Sequence, residues 1–97
     1  MTDLCADLDL IRQAALDAGA LAVAERARGL STRNKAGGSP VTSGDLKVDA
    51  MLKDRLLTAR PDYGWLSEET ADSPDRLSRR RIFVVDPIDG TRDYLRG

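Results

Sequence analysis

The run Asp86-Pro87-Ile88-Asp89-Gly90-Thr91 sets two carboxylates, a tight turn and a hydroxyl directly behind the apolar stretch Ile82-Phe83-Val84-Val85. Such a stretch reads as a buried strand, so the acids stand where it ends. A hard cation such as Mg²⁺ takes oxygen ligands in near-octahedral geometry, usually one or two carboxylates with water and substrate phosphate completing the set. Asp86 and Asp89 are the candidate carboxylates. Pro87 has no amide hydrogen and biases Asp86 toward extended backbone, which stops the ladder where the ligands begin. Gly90 permits close backbone approach, and an amide at Thr91, if that residue opens a helix, would face an anion with a favourable dipole. The pattern describes a metal and a phosphate held side by side. The competing reading is a solvated surface turn, because Asp-Gly pairs are frequent in turns.

A second acidic pair precedes the first. Trp65-Leu66-Ser67 reads as a short strand that delivers Glu68 and Glu69. Consecutive strand residues point to opposite faces, so at most one glutamate is expected to face Asp86 and Asp89. Tyr63 and Trp65 read as packing residues rather than a stacking platform. Lys35, in a glycine-rich loop, is either a solvated lysine or a second contact to phosphate.

The remaining composition narrows the chemistry. The 97 residues contain no histidine, which excludes His-based zinc sites, Ser-His-Asp triads and phosphohistidine chemistry within this chain. Fifteen basic and sixteen acidic residues leave no basic excess of the kind a nucleic-acid interface carries. Arg79-Arg80-Arg81 reads as a solvated loop edge. Cys5 is the single cysteine, so no intrachain disulfide can form, and its place in an apolar pattern predicts a small buried hydrophobe. No membrane span or secretory leader is evident, and a cytoplasmic setting is expected.

The elements that must position these residues follow from periodicity. Residues 3–28 read as an amphipathic helix, with Leu4, Leu8, Ile11, Ala15, Ala18 and Ala22 on the buried stripe and Arg12, Gln13, Asp17 and Glu25 opposite. Gly29 ends it. Residues 29–44, rich in Gly, Ser and Thr with Pro40, read as a loop. Thr42 or Ser43 caps a second helix over 45–59, whose stripes Leu46-Ala50-Leu57 and Val48-Leu52-Leu56 predict burial on both sides. A turn over 60–64, a short strand at 65–67, a polar connection over 70–79 and a strand at 81–85 complete the pass.

Three segments in order, Ser39-Pro40-Val41-Thr42-Ser43-Gly44-Asp45, Leu66-Ser67-Glu68-Glu69 and Asp86-Pro87-Ile88-Asp89-Gly90-Thr91, resemble the signature of the inositol monophosphatase superfamily of lithium-sensitive, magnesium-dependent phosphatases. Within it, Leu-Ser-Glu-Glu and an Asp-Gly-Thr followed by a basic residue are more similar to bacterial 3'(2'),5'-bisphosphate nucleotidases of the CysQ type. The resemblance implies an α/β fold, a layered αβαβα sandwich of which this chain supplies the amino-terminal helices and first strands. It implies Mg²⁺ as cofactor and a small phosphomonoester as substrate, with 3'-phosphoadenosine 5'-phosphate ahead of inositol 1-phosphate. Glu68, Asp86 and the Ile88 carbonyl would bind a first metal, and Asp86 and Asp89 a second. Asp45 would hydrogen-bond Thr91, and Thr91 with Glu68 would orient the attacking water. The amides of Gly90 and Thr91 would hold phosphate oxygens.

Departures from the pattern set the alternatives. The family completes its second metal site with a later Asp that has no counterpart before Gly97, so residues 1–97 are expected to be the front portion of a longer domain. Exposed apolar surface, association with further copies or partial disorder should follow. A noncatalytic metal-binding or interaction module is therefore a second reading. A haloacid-dehalogenase-like mechanism needs a nucleophilic Asp where this chain has Pro87.

Overall fold

The computed structural model describes residues 4–34 and 40–96. In chain order the elements are helix α1 (Leu4–Arg28), strands β1 (Thr32–Asn34) and β2 (Pro40–Thr42), helix α2 (Ser43–Ala59), strand β3 (Gly64–Ser67), a 3-10 turn (Pro74–Ser78), strand β4 (Ile82–Val85) and helix α3 (Thr91–Arg96). The chain is of the α/β class. Helix α2 begins at Ser43 because Thr42 caps it: the Thr42 hydroxyl accepts from the Asp45 amide while the Asp45 carboxylate accepts from the Thr42 amide, a reciprocal capping box.

Helices α1 and α2 form an antiparallel pair. Three ion pairs running in opposite chain directions show it: Arg60 to Asp7 at 2.8 Å, Arg55 to Asp17, and Lys47 to Glu25 at 2.5 Å. Between them lies the core, built from Ala14 and Ala18 of α1, Val48, Leu52 and Leu56 of α2, Trp65 of β3 and Phe83 of β4. The small alanines let the helices approach closely. Tyr63 packs on Phe83 with ring centroids 5.1 Å apart, and Trp65 is buried, so both aromatics act in packing.

The buried face of α1 differs from the expected stripe. Leu4, Leu8, Ile11 and Ala15 are exposed, whereas Asp7 and Glu25 are buried and Asp17 is half-buried. The partner helix decides this, since Arg60, Arg55 and Lys47 supply charges that make a mixed face complementary. Cys5 lies on the exposed side and is not a core residue. In α2 only the Val48-Leu52-Leu56 stripe is buried; Ala50 is exposed and Leu46 and Leu57 are half-buried.

The expected loop over 29–44 contains structure. β1 and β2 pair antiparallel in the register Thr32 to Thr42, Arg33 to Val41 and Asn34 to Pro40. The Ser43 amide donates to the Ser31 carbonyl at 2.9 Å and closes the base of this hairpin. Three-residue strands among glycines and serines carry too little alternation to be read from sequence.

β3 and β4 pair in parallel, Gly64 with Ile82 through Ser67 with Val85. The polar connection between them carries the 3-10 turn, capped by Ser73. β4 is not buried throughout: Phe83 is 6% exposed but Val84 is 71% exposed. The arginine run also divides. Arg79 and Arg80 are exposed, while half-buried Arg81 donates to the Tyr63 hydroxyl at 3.2 Å and pairs with Asp7.

Candidate metal and phosphate site

Parallel pairing brings the two acidic segments together. Ser67 lies beside Val85 at the matched ends of β3 and β4, so Glu68 and Asp86 leave the sheet from neighbouring positions at the same edge. Open α/β sheets bind ligands in the crevice beyond the carboxyl ends of their strands. A cleft of about 240 Å³ occurs there, lined by Pro40, Glu68, Glu69, Asp86, Ile88, Gly90, Thr91 and Arg92.

Both glutamates contribute to the lining of this cleft. Strand alternation ends at Ser67, and the turn that follows is free of it. Asp89 is exposed and lies off the lining, although its neighbours Ile88 and Gly90 contribute to it. Lys35 falls outside the described residues.

Thr91 opens α3, with the Tyr94 amide donating to the Gly90 carbonyl at 3.0 Å. Gly90 has φ 66°, a left-handed value that a side chain would strain. The Thr91 hydroxyl lies 3.2 Å from Asp45 Oδ1 and 3.4 Å from the Ile88 carbonyl. Its single proton can serve one of them at a time. Asp45 is 2% exposed and sits behind the cleft, so it reaches the lining only through Thr91. Its other oxygen accepts from the Thr42 amide at 2.8 Å and the Thr42 hydroxyl at 2.6 Å, which fixes the carboxylate before any ligand arrives.

Tyr94 docks the start of α3. Its hydroxyl donates to the Ala22 carbonyl of α1 at 2.6 Å, Arg26 stands 5.8 Å over its ring, and the ring lies against Gly44 of α2. Burial, with the nearby Asp45 carboxylate adding to it, pushes the Tyr94 phenol above its ordinary range. The hydroxyl therefore stays protonated, as its donor role requires. Arg92 is the basic residue that follows Thr91 in the sequence pattern, whereas the roles of Tyr94 and Asp49 depend on contacts made across the fold and carry no local sequence signal.

The donor set suits a hard cation in kind. Three carboxylates share the lining with the basic side chain of Arg92, and an oxygen-only set matches Mg²⁺ rather than a softer metal. Among the described residues no three His, Cys, Asp or Glu side chains converge into a ready-made cage. Mg²⁺ does not demand one, since it keeps several waters and is held through one or two carboxylates plus substrate oxygens. Glu68, Asp86 and Ile88 border the same cleft, and Asp89 lies off its lining.

Comparison with known proteins agrees with this layout. A Streptomyces griseus protein named glucose-1-phosphate thymidylyltransferase is 39% identical over 97 residues, 100% of this chain and 37% of that protein. The 3'(2'),5'-bisphosphate nucleotidase CysQ of Escherichia coli O157:H7 is 36% identical over 94 residues, 92% of this chain and 37% of that one. Among solved structures, the extragenic suppressor protein suhB from Bartonella henselae matches with a TM-score of 0.83 and 32% identity, over 94% of this chain and 36% of that chain. The chain spans 37% of the length of these two curated relatives. The family model described as the inositol monophosphatase family matches residues 6–97, a stretch that includes every acid of the cleft, and the chain belongs to that family.

Proposed function

We propose that the cleft is part of a magnesium-dependent phosphomonoesterase site whose substrate is a nucleoside 3'(2'),5'-bisphosphate such as 3'-phosphoadenosine 5'-phosphate. The observation that carries this reading is the company of Glu68, Glu69 and Asp86 around Thr91 and Arg92 in one cleft. So acidic a wall repels a phosphate dianion unless a cation screens it. Bound Mg²⁺ would supply Lewis acidity, lower the pKa of water and neutralise developing charge. Glu68, Asp86 and the Ile88 carbonyl would hold it, and Asp89 would join a second cation shared with Asp86. Thr91, oriented by Asp45, would fix the attacking water together with Glu68. The amides of Gly90 and Thr91 would receive the phosphate oxygens, and Arg92 would meet a further phosphate.

The nucleotide preference is supported by the basic residue after Thr91 and by the name of the Escherichia coli relative. A cytoplasmic setting belongs to the same proposal; no helix among the described residues is long and apolar enough to cross a membrane. The competing reading is a metal-binding or interaction module without turnover, and the lack of a convergent acidic cage among the described residues favours its interaction form. Orthophosphate release from 3'-phosphoadenosine 5'-phosphate and from inositol 1-phosphate, assayed with the complete protein and Mg²⁺, separates these options. Faster release from the nucleotide is expected. Preference for inositol phosphate would overturn the substrate, binding without release would favour the module, and thymidylyl transfer to glucose 1-phosphate would favour the Streptomyces name.

A further inference from the structure

Asp49 lies one helical turn beyond Asp45 in α2 and is 4% exposed. It does not line the cleft. Its two oxygens instead receive two hydroxyls, Ser67 on Oδ1 and Thr70 on Oδ2. Those residues stand on either side of Glu68 and Glu69. Ser67 Oγ also accepts from the Glu69 amide at 3.2 Å, and Thr70 Oγ1 accepts from the Trp65 indole at 3.3 Å. Two chains of hydrogen bonds, Glu69 amide to Ser67 and Trp65 indole to Thr70, therefore end on one carboxylate.

We infer that Asp49 is a positioning residue that clamps the Ser67–Thr70 turn and thereby presents Glu68 and Glu69 to the cleft. The inference rests on the phosphatase reading for its consequence but on contacts alone for its geometry. The polarity requires a carboxylate. An amide in its place offers one acceptor, and its NH₂ would face a Thr70 oxygen that already accepts from Trp65, leaving the Thr70 proton without a partner. Thr70 lies outside the cleft lining, so it can be altered without touching a proposed ligand.

Trp65 is the only tryptophan among residues 1–97 and, through its bond to Thr70, reports on the clamp when these 97 residues are measured. The experiment measures acrylamide quenching of Trp65 without metal, then its response to Mg²⁺, in the wild type, Asp49→Asn, Thr70→Val and Thr70→Ser. Expected are increased quenching in Asp49→Asn and Thr70→Val, and a Mg²⁺ midpoint weakened about 10–100-fold, the usual cost of losing a residue that orients a metal ligand. Thr70→Ser should retain wild-type behaviour on both counts. Should Asp49→Asn fail to fold, Thr70→Val decides. Quenching unchanged in Thr70→Val would overturn the clamp, and increased quenching with an unmoved Mg²⁺ midpoint would overturn its positioning role. A wild type with no Mg²⁺ response would count against the phosphatase reading, and the quenching comparison would then judge the clamp by itself.

Discussion

The Thr91 hydroxyl is where the proposed chemistry is most sensitive to a single atom. It has one proton and two acceptors, Asp45 Oδ1 at 3.2 Å and the Ile88 carbonyl at 3.4 Å. The buried carboxylate, already locked by Thr42, selects the direction of that proton and so leaves a lone pair for water. Thr91→Val should reduce turnover of the complete protein by about 10²–10⁴, the usual range for a group acting in proton transfer. Thr91→Ser should keep most of it. Steady-state rates of the two variants check this, and equal losses would show that methyl packing rather than the hydroxyl matters. The grouping of Glu68, Asp86 and Thr91 around one cleft was legible in the sequence because carboxylates, glycine and threonine at strand ends are a chemical pattern, whereas Asp89 lies off the lining. Asp49 was not legible, since an acid in mid-helix is usually a solvated residue and its two hydroxyl partners are 18 and 21 positions away.

Helix α2 is the element that organises the cleft. Its first turn holds Asp45 against Thr91, and its second holds Asp49 against the turn carrying the glutamates. Gly44 lets α3 dock on that first turn: a Cβ there would lie 2.3 Å from the Tyr94 hydroxyl and 3.0 Å from two ring carbons. Gly44→Ala gains about 1 kcal/mol of helix propensity but overpacks at a cost of about 1–3 kcal/mol. A net loss of stability in urea melts is expected, together with loss of the Tyr94 to Ala22 bond. The α1–α2 pair carries a pH dependence. A hydrogen bond from Tyr63, reinforced by Arg60, holds the Asp7 carboxyl below its ordinary range, and a hydrogen bond from Lys47 does the same for Glu25. Folded-state values depressed in this way contribute stability that is present above the unfolded carboxylate range and lost as pH falls through the folded values. Thermal melts should hold steady from neutral pH to about 5 and drop below about 4, more gently in Asp7→Asn. The same ion pairs explain why the buried face of α1 departs from its apolar periodicity. Periodicity counts apolar residues, whereas this helix turns a mixed face toward the basic residues of α2.

Across the whole molecule, the helix pair, β3, β4 and the acidic strand ends were readable from spacing, but their arrangement was not. Parallel pairing of Ser67 with Val85 joins segments 18 residues apart and decides that Glu68 and Asp86 share an edge. The small β1–β2 hairpin, which brings Pro40 to the cleft, also escaped notice because glycine and serine mask its alternation. Leu8, Ile11 and Val84 present apolar surface. What unites the scales is the claim that paired strand ends deliver carboxylates to a cation that works on phosphate. The most direct test is orthophosphate release from 3'-phosphoadenosine 5'-phosphate by the complete protein, with Mg²⁺, with chelator, and in Asp86→Asn. Release that requires Mg²⁺ and falls by at least about 10²-fold in Asp86→Asn is the predicted result. Release that persists in chelator, or a near-normal rate in Asp86→Asn, would contradict the account.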